Sequence, residues 1–598
     1  MFYRPTWQPH SQQAKKNREE MLDEIIRFRT LEQNIIDHSN RAKSRFEKKG
    51  KRLPRERLSL LLDKGRPFLE LSTLAGYQMH DDDGKKHIAG GGNIIGIGYV
   101  SNTRCIVAVH DSAIKGGSIS PMGLQKSLRA QEIALENKLP MVSLVESGGA
   151  NLLYQSELFV NGGRAFYNQA KLSAAGIPQI TIVHGSSTAG GAYMPGLSDT
   201  VIMVKEKAEV YLAGPPLVKA AIHEDADAQE LGGAEMHATI TGSADYVAEN
   251  DDEAIAMARE CVAQLGWQQE ESSSIEYESP KFHEEEILGL VPVNYRLPYD
   301  CRELIVRLVD ASEFAEFKKD YGSSLVCGHA MIQAHRVGII ANNGPIDPEG
   351  ANKATHFIQQ CCQRNTPIVY LHNISGYMVG LRAEQSGIVK NGSKMIQAVS
   401  NATVPQISIL VGGSFGAGNY GMCGRAFSPR FIFAWPNAKI SVMGGAQAAK
   451  VLEIITVHGL GRNLKGFPKS ALQPIAEILK FPSSQWDEEI AKLKADNPNL
   501  PISKQGLTML ATGVAQQITK MGIPVDMKSD VGVLQQMISF IENKFDAEST
   551  SLYATARIWD DGIIDPRDTR RVLSECLNVC KEAEKRTVFP NSFGVARM

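Results

Sequence analysis

The chain contains no Cys-x-x-Cys pair, although it has nine cysteines, of which Cys361 and Cys362 are simply adjacent. That spacing excludes a zinc pattern and a disulfide framework and suits a reducing compartment. No run of about 18 apolar residues occurs, so no transmembrane helix is expected, and the polar first twenty residues lack the apolar core of a signal peptide. Neither sign of charge is in excess: 64 Lys and Arg face 66 Asp and Glu, which argues against nucleic acid or an anionic membrane as partner. The expectation is a cytoplasmic protein. Also missing are a G-x-x-x-x-G-K-[ST] phosphate loop, a Ser–His–Asp order, a metal-ligand cluster and an evident pair of catalytic carboxylates. These absences point to chemistry that borrows its base from a cofactor and needs no metal.

What is present is length and repetition. At 598 residues and 43% hydrophobic content the chain can bury two or more domain cores. The segment IPQITIVHGSSTAGGAY from Ile177 is answered by VPQISILVGGSFGAGNY from Val404, their prolines 227 positions apart (405 − 178). LPMVSLVESGGANL from Leu139 and TPIVYLHNISGYMVG from Thr366 keep the same offset of 227 (367 − 140). Weaker matches of Gly96–Val100 and Cys105–His110 to Gly328–Ile332 and Val337–Asn342 extend the pattern upstream. An internal duplication follows, with its boundary in the polar stretch Gln268–Glu286.

Each copy alternates apolar runs, Gly-rich turns and helical stretches, the order of βαβ units. Strands are expected at Pro140–Val145, Gln179–Val183, Ile368–Leu371 and Gln406–Val411, and crossover helices at Arg129–Asn137 and Asn352–Gln363. Further helical character covers Lys15–Arg41 and Asp252–Leu265.

The turns carry the chemistry. In HGSSTAGGAY, Gly190 and Gly191 stand where a helix should begin, and free N–H groups there can hold a negative oxygen without a charged side chain. Such glycines often merely pack a strand against a helix, but the twin turn Ser414–Gly421 at the equivalent place argues for a pair of holes. Gly416, Gly418 and Gly421 formally match G-x-G-x-x-G, yet no acidic ribose ligand follows about 20 residues on. Two more turns, Glu146–Asn151 and Asn373–Met378, are placed to complete the pockets or simply to connect strand and helix. His184 and Glu146 are the nearest titratable residues and read as structural groups.

The motifs GSSTAGGAYMPGLSD (Gly185–Asp199), LAGPPLVKAA (Leu212–Ala221), ELGGAEMH (Glu230–His237), the stretch Gly412–Gly445 and ARIWDDGIIDPRDTRRVL (Ala556–Leu573) resemble the carboxyltransferase subunits of biotin-dependent acyl-CoA carboxylases. The resemblance is to the 3-methylcrotonyl-CoA and geranyl-CoA carboxylase group. It implies an α/β chain of two tandem crotonase-like (ββα superhelix) domains, residues 20–275 on the acyl-CoA side and 287–590 on the carboxybiotin side, with an insertion at 451–549. It also implies a hexameric homo-oligomer in which a neighbouring copy supplies the biotin side. By that resemblance the N–H groups of Gly190 and Gly191 hold the thioester enolate oxygen, with Gly148, Gly149, Gly162, Ala189 and Ala192 around the substrate. Those of Ala417 and Gly418 hold the ureido oxygen of biotin, with Ser375, Gly376, Phe415 and Gly416 beside it. Carboxybiotin would release carbon dioxide, its nitrogen would take the γ-proton, and the dienolate would capture the carbon dioxide.

Three details bear on substrate and partner. Gly162 aligns with a bulky aromatic of the 3-methylcrotonyl enzymes, so its lack of a side chain favours a longer acyl group, geranyl-CoA over 3-methylcrotonyl-CoA. Ala446 stands where an acidic residue is expected, and the roughly 100 residues after Lys450, with breaks at Asn497–Pro501 and helical runs at Gln505–Met521 and Val531–Asn543, exceed the expected connection. The chain has no Met-Lys-Met biotinylation motif, DMKSD at Asp526–Asp530 being the nearest string, and no ATP-grasp segment. Biotin is therefore expected on a partner, a biotin carboxylase and carrier (alpha) subunit, which alone uses ATP. The alternatives are a propionyl- or acetyl-CoA-type carboxyltransferase, a biotin-dependent acyl-CoA decarboxylase subunit, a crotonase-type hydratase and an inert structural core.

Overall fold

The computed structural model describes residues 2–267, 276–463, 472–496, 498, 500 and 502–595. Of the expected boundary Gln268–Glu286, positions 268–275 lie outside the described residues, as do 497, 499 and 501 of the Asn497–Pro501 break. The chain divides into two compact units, Met1–Ala438 with Ser551–Met598, and Lys439–Thr550.

The first unit opens on helix α1 (Gln12–Asn40), capped by the Ser11 side chain, which accepts the Ala14 N–H. Met21, Ile25 and Phe28 recur at helical spacing and are buried, and the Asn17 amide donates to the Gly289 carbonyl at 3.0 Å. Two sheets follow. The first holds β1 (Leu69–Leu71), β2 (Asn93–Val100), β3 (Thr103–His110), β4 (Met141–Ser147), β5 (Gln179–Thr188), β6 (Thr200–Val204), β7 (Glu209–Tyr211) and β8 (Tyr246–Ala248). Its order is β1-β2-β3-β4-β5-β6-β8, with β7 beside β5. The second holds β9 (Ala315–Phe317), β10 (Leu325–Ile332), β11 (His335–Asn342), β12 (Ile368–Ile374), β13 (Gln406–Phe415) and β14 (Phe431–Ala434), in the order β14-β13-β12-β11-β10-β9. Both sheets begin antiparallel and become parallel after the first hairpin, at β3–β4 and at β11–β12.

Helices α2 (Pro121–Glu136) and α3 (Gln155–Ala174) make the crossovers of the first sheet, and α4 (Pro348–Gln363) and α5 (Ile388–Ser400) those of the second. The helices α2 and α4 start earlier than hydrophobic periodicity predicts. Ser120 and Asp347 cap them, each followed by Pro at the first helical position, and these residues are again 227 apart. The strands run longer than expected for a different reason: Ser186–Thr188 pair with Glu209–Tyr211, and Ser414 pairs with Ile374, so what reads as turn is still ladder. Bulges after Val145 and after His372 keep the same offset.

The segment from Ser551 returns to this unit and binds the two sheets together. Asp561 is fully buried, with Arg129 Nε at 2.9 Å and Arg425 Nη2 at 2.6 Å; its carboxylate also accepts the Ile432 N–H at 2.9 Å. The backbone of Asp561 accepts the Ser72 N–H at 2.7 Å.

The second unit has its own core. Ile475, Leu507, Val514, Ile518, Leu534 and Met537 pack between helices that include Leu472–Ile478, Lys504–Lys520 and Val533–Glu548. Ala446 lies at the start of helix Gly445–Asn463. The polar surface of this stretch hides apolar stripes that close on one another. Among the described residues no helix is long and apolar enough to cross a membrane.

Candidate active site

At the end of β5 the backbone enters a 3-10 turn, Ala189–Ala192, and at the end of β13 it enters helix α6 (Gly416–Gly421). Ala189 and Gly416 both have φ +52°, the left-handed value that swings the following N–H groups outward. An Ala in that conformation is strained, which a turn under functional constraint tolerates. The first N–H groups of either turn have no preceding carbonyl to bond, so those of Gly190, Gly191, Ala417 and Gly418 are available to an external oxygen.

The turns after β4 and β12 complete each hole by the same device. Ile119 N–H donates to Gly149 O at 2.8 Å and Asn151 N–H to Ile119 O at 3.0 Å; in the second half Ile346 N–H donates to Gly376 O at 3.0 Å and Met378 N–H to Ile346 O at 2.9 Å. Gly149 (φ +87°) and Gly376 (φ +136°) occupy conformations that a side chain would resist. Around the first hole, Ser187 Oγ donates to Gly191 O at 2.9 Å, and Ser147 Oγ donates to Gly117 O and accepts the Gly149 N–H at 3.1 Å.

Gly190, Gly191 and Gly162 line one cavity of about 610 Å³, closed by Leu158, Phe166 and Met194. Gly162 is in the body of α3, where a Cβ would meet nothing within 4 Å. It is thus a helix glycine facing open space. A Cβ on Gly190 would face Phe166 Cζ at 3.7 Å, whereas one on Gly191 would face Ser187 Oγ at 3.6 Å and Ser147 Oγ at 3.9 Å. Gly148, Gly149, Ala189 and Ala192 are grouped at the turn itself: a Cβ on Gly149 would stand 3.9 Å from that of Ala189, and Ala192 is buried beneath.

In the second half Gly418 is held against Gly376, whose Cα would be 2.9 Å from an added Cβ. Ser375 and Ala417 are exposed beside them. Phe415 is expected beside biotin; its side chain is buried and packs at a tilt against Tyr295 with ring centroids 5.0 Å apart, so this position offers a ligand only backbone.

His184 and Glu146 belong to a charge network below the first hole. Glu146 binds Lys51 Nζ at 2.8 Å and Arg57 Nη1 at 2.7 Å, and Asp251 binds Arg57 Nε at 3.1 Å and His184 Nδ1 at 2.8 Å. Burial, aided by Arg57, holds the His184 imidazole neutral, down to about 4, although Asp251 is adjacent, because Arg57 already balances that carboxylate. His110 and Asn93, opposite one another on β3 and β2, form a polar wall of the cavity. Burial lowers His110 to about 4 as well. Sequence reasoning missed this wall and, on α3, the residues Leu158, Phe166 and Gln169 that share a face with the expected Gly162; the second is legible in retrospect as one helical face.

A sheet built twice, with an equivalent Gly-rich turn at the end of β5 and of β13, fits the crotonase-like fold of carboxyltransferases. The comparisons agree: the carboxyl transferase domain family model matches residues 45–595. The chain is 43% identical to the probable mitochondrial methylcrotonoyl-CoA carboxylase beta chain of Drosophila melanogaster, over 98% of this chain and 94% of that one. It is likewise 43% identical to the biotin-dependent 3-methylcrotonyl-coenzyme A carboxylase beta1 subunit of Mycobacterium tuberculosis, over 94% of each. Among solved structures, the beta subunit of P. aeruginosa geranyl-CoA carboxylase superposes with a TM-score of 0.83 at 47% identity, covering 100% of both chains. The protein belongs to the carboxyl transferase family and is an acyl-CoA carboxylase carboxyltransferase.

Proposed function

We propose that this chain moves a carboxyl group from carboxybiotin to the γ carbon of a branched α,β-unsaturated acyl-CoA, with geranyl-CoA favoured over 3-methylcrotonyl-CoA. The observation that carries this reading is the cavity of about 610 Å³ that runs from Gly190 and Gly191 past the empty Cβ position of Gly162. The N–H groups of Gly190 and Gly191 stabilise the enolate oxygen, which gains charge only as the proton leaves. Ala417 and Gly418 offer the same donors to the biotin ureido oxygen, at a turn so close to Gly376 and Ile374 that a Cβ at Gly418 would collide with them. Biotin, carried by a partner alpha subunit, supplies both the carboxyl group and the basic nitrogen. Neither His184 nor Glu146 competes for that proton, since each is committed to the Arg57 network. The protein therefore contributes position and electrostatics.

The surface supports an assembly. Leu152, Leu153, Phe159 and Val160 beside the first hole are at least 76% exposed, and Val379, Leu381 and Val389 beside the second at least 71%. Two apolar rims of this kind suit a homo-oligomer, a hexameric core, in which the first hole of one copy meets the second of a neighbour. The test is to purify the protein from its host, detect the biotinylated partner with streptavidin, and assay a panel of acyl-CoA thioesters. A fully active preparation without biotin would overturn the reaction, and faster turnover of 3-methylcrotonyl-CoA than of geranyl-CoA would overturn the preference.

A further inference from the structure

The two holes share a backbone, yet the space beneath them differs. Ala150 forms a bridge with Ile119 in the first half, and Tyr377 forms the same bridge with Ile346 in the second, so the two residues are equivalent, 227 positions apart. Ala150 lines the acyl cavity together with Ala165 and Met194. The counterparts of Ala165 and Met194, at the same offset, are Gly392 and Gly421. Both lie against the Tyr377 side chain: a Cβ on Gly392 would stand 2.9 Å from Tyr377 Cε1, and one on Gly421 would stand 2.5 Å from the Tyr377 hydroxyl. That hydroxyl donates to the Gly392 carbonyl at 3.4 Å, and the ring packs on the core of the second half.

We infer that Tyr377 is a built-in plug: its ring fills the second-half counterpart of the acyl cavity, with Gly392 and Gly421 trimmed to receive it, and so denies acyl chains the second hole. An ancestral pair of equal pockets would bind acyl groups at both holes and leave none for biotin. One large residue, and two glycines that cannot clash with it, break that symmetry. Tyr377 is then a specificity residue that acts by exclusion. The inference rests on the proposal that the first-half cavity takes the acyl group.

Calorimetric titration with geranyl-pantetheine, which lacks the nucleotide and so tests the acyl pocket alone, measures sites per chain. Wild type and Tyr377→Phe should bind one, and Tyr377→Ala two. One site in a folded Tyr377→Ala chain would overturn the plug. If Tyr377→Ala does not fold, the reverse graft decides: Ala150→Tyr with Ala165→Gly and Met194→Gly should weaken binding at the first hole at least tenfold. Undiminished binding by the graft would equally overturn the plug. No binding to wild type would instead sink the acyl reading of the first cavity, and the plug with it.

Discussion

Replacing Gly162 with Phe turns the acyl cavity into a ruler. The position lies in the body of helix α3, its φ is ordinary, and a Cβ there meets nothing within 4 Å, so the backbone bears no strain. Exchanging a helical glycine for a residue with a side chain should even stabilise the fold by a few tenths of a kcal/mol, up to about 0.5–1. The ring must then lie in the cavity of about 610 Å³ beside Phe166. A geranyl chain has two responses. Withdrawing its five additional carbons forfeits at most about 4 kcal/mol, at ~0.8 kcal/mol per buried carbon. Squeezing past the ring costs about 1–3 kcal/mol of overpacking. The smaller cost governs, so geranyl-CoA turnover should fall roughly tenfold to a hundredfold, while 3-methylcrotonyl-CoA turnover holds or rises. The assay is kcat/KM for both thioesters on one preparation with its biotin partner, beside a thermal melt. Equal losses on both substrates, with an unchanged melt, would refute the argument that this glycine sets chain length.

Gly190→Val aims its bulk into the cavity toward Phe166, so kcat should drop about a hundredfold, equivalent to roughly 3 kcal/mol, with an unaltered melt; normal turnover would remove this turn from the hole. Asp561→Asn strips the charge that Arg129 and Arg425 share, and urea unfolding should show a loss of about 3–5 kcal/mol. A loss under about 1 kcal/mol would mean that the buried triad contributes no net stability. Burial depresses His372 to about 3, against an ordinary value near 6.5, so the folded chain binds fewer protons than the unfolded one through this interval. The stability this provides is present above pH 6.5 and declines as pH falls, by about 2 kcal/mol between pH 7 and 5. Asp560, raised to about 7 by burial, works in the opposite sense. The difference between wild type and His372→Gln isolates the histidine, and parallel stability curves for the two would contradict it.

The duplication, the paired Gly turns and the βαβ order were all legible in the chain, because a repeat at constant offset survives in sequence wherever backbone geometry allows few residues. Ala189 and Gly416, Gly149 and Gly376, Ser120 and Asp347 are such positions: a left-handed turn or a helix cap restricts the residue locally. Element ends were less visible, since Ser186–Thr188 are strand because Glu209–Tyr211 lie along one side and Ser147 pairs with Ser187 on the other. The apolar stripes of the Lys439–Thr550 unit were diluted by polar neighbours until its helices closed on one core. Contacts between distant parts of the chain leave no local mark. Arg129 meets Asp561 across 432 positions, and nothing near either residue announces the other. The identity of residue 377 could be read from the repeat as Tyr opposite Ala150, but not that its ring fills a pocket, because filling depends on where Gly392 and Gly421 arrive in space. The sequence thus determined which backbone shapes exist and how often they recur; the tertiary structure decided where the cavity beside Gly190 and Gly191 opens, because a cavity belongs to no single segment and is defined only by the distances between several.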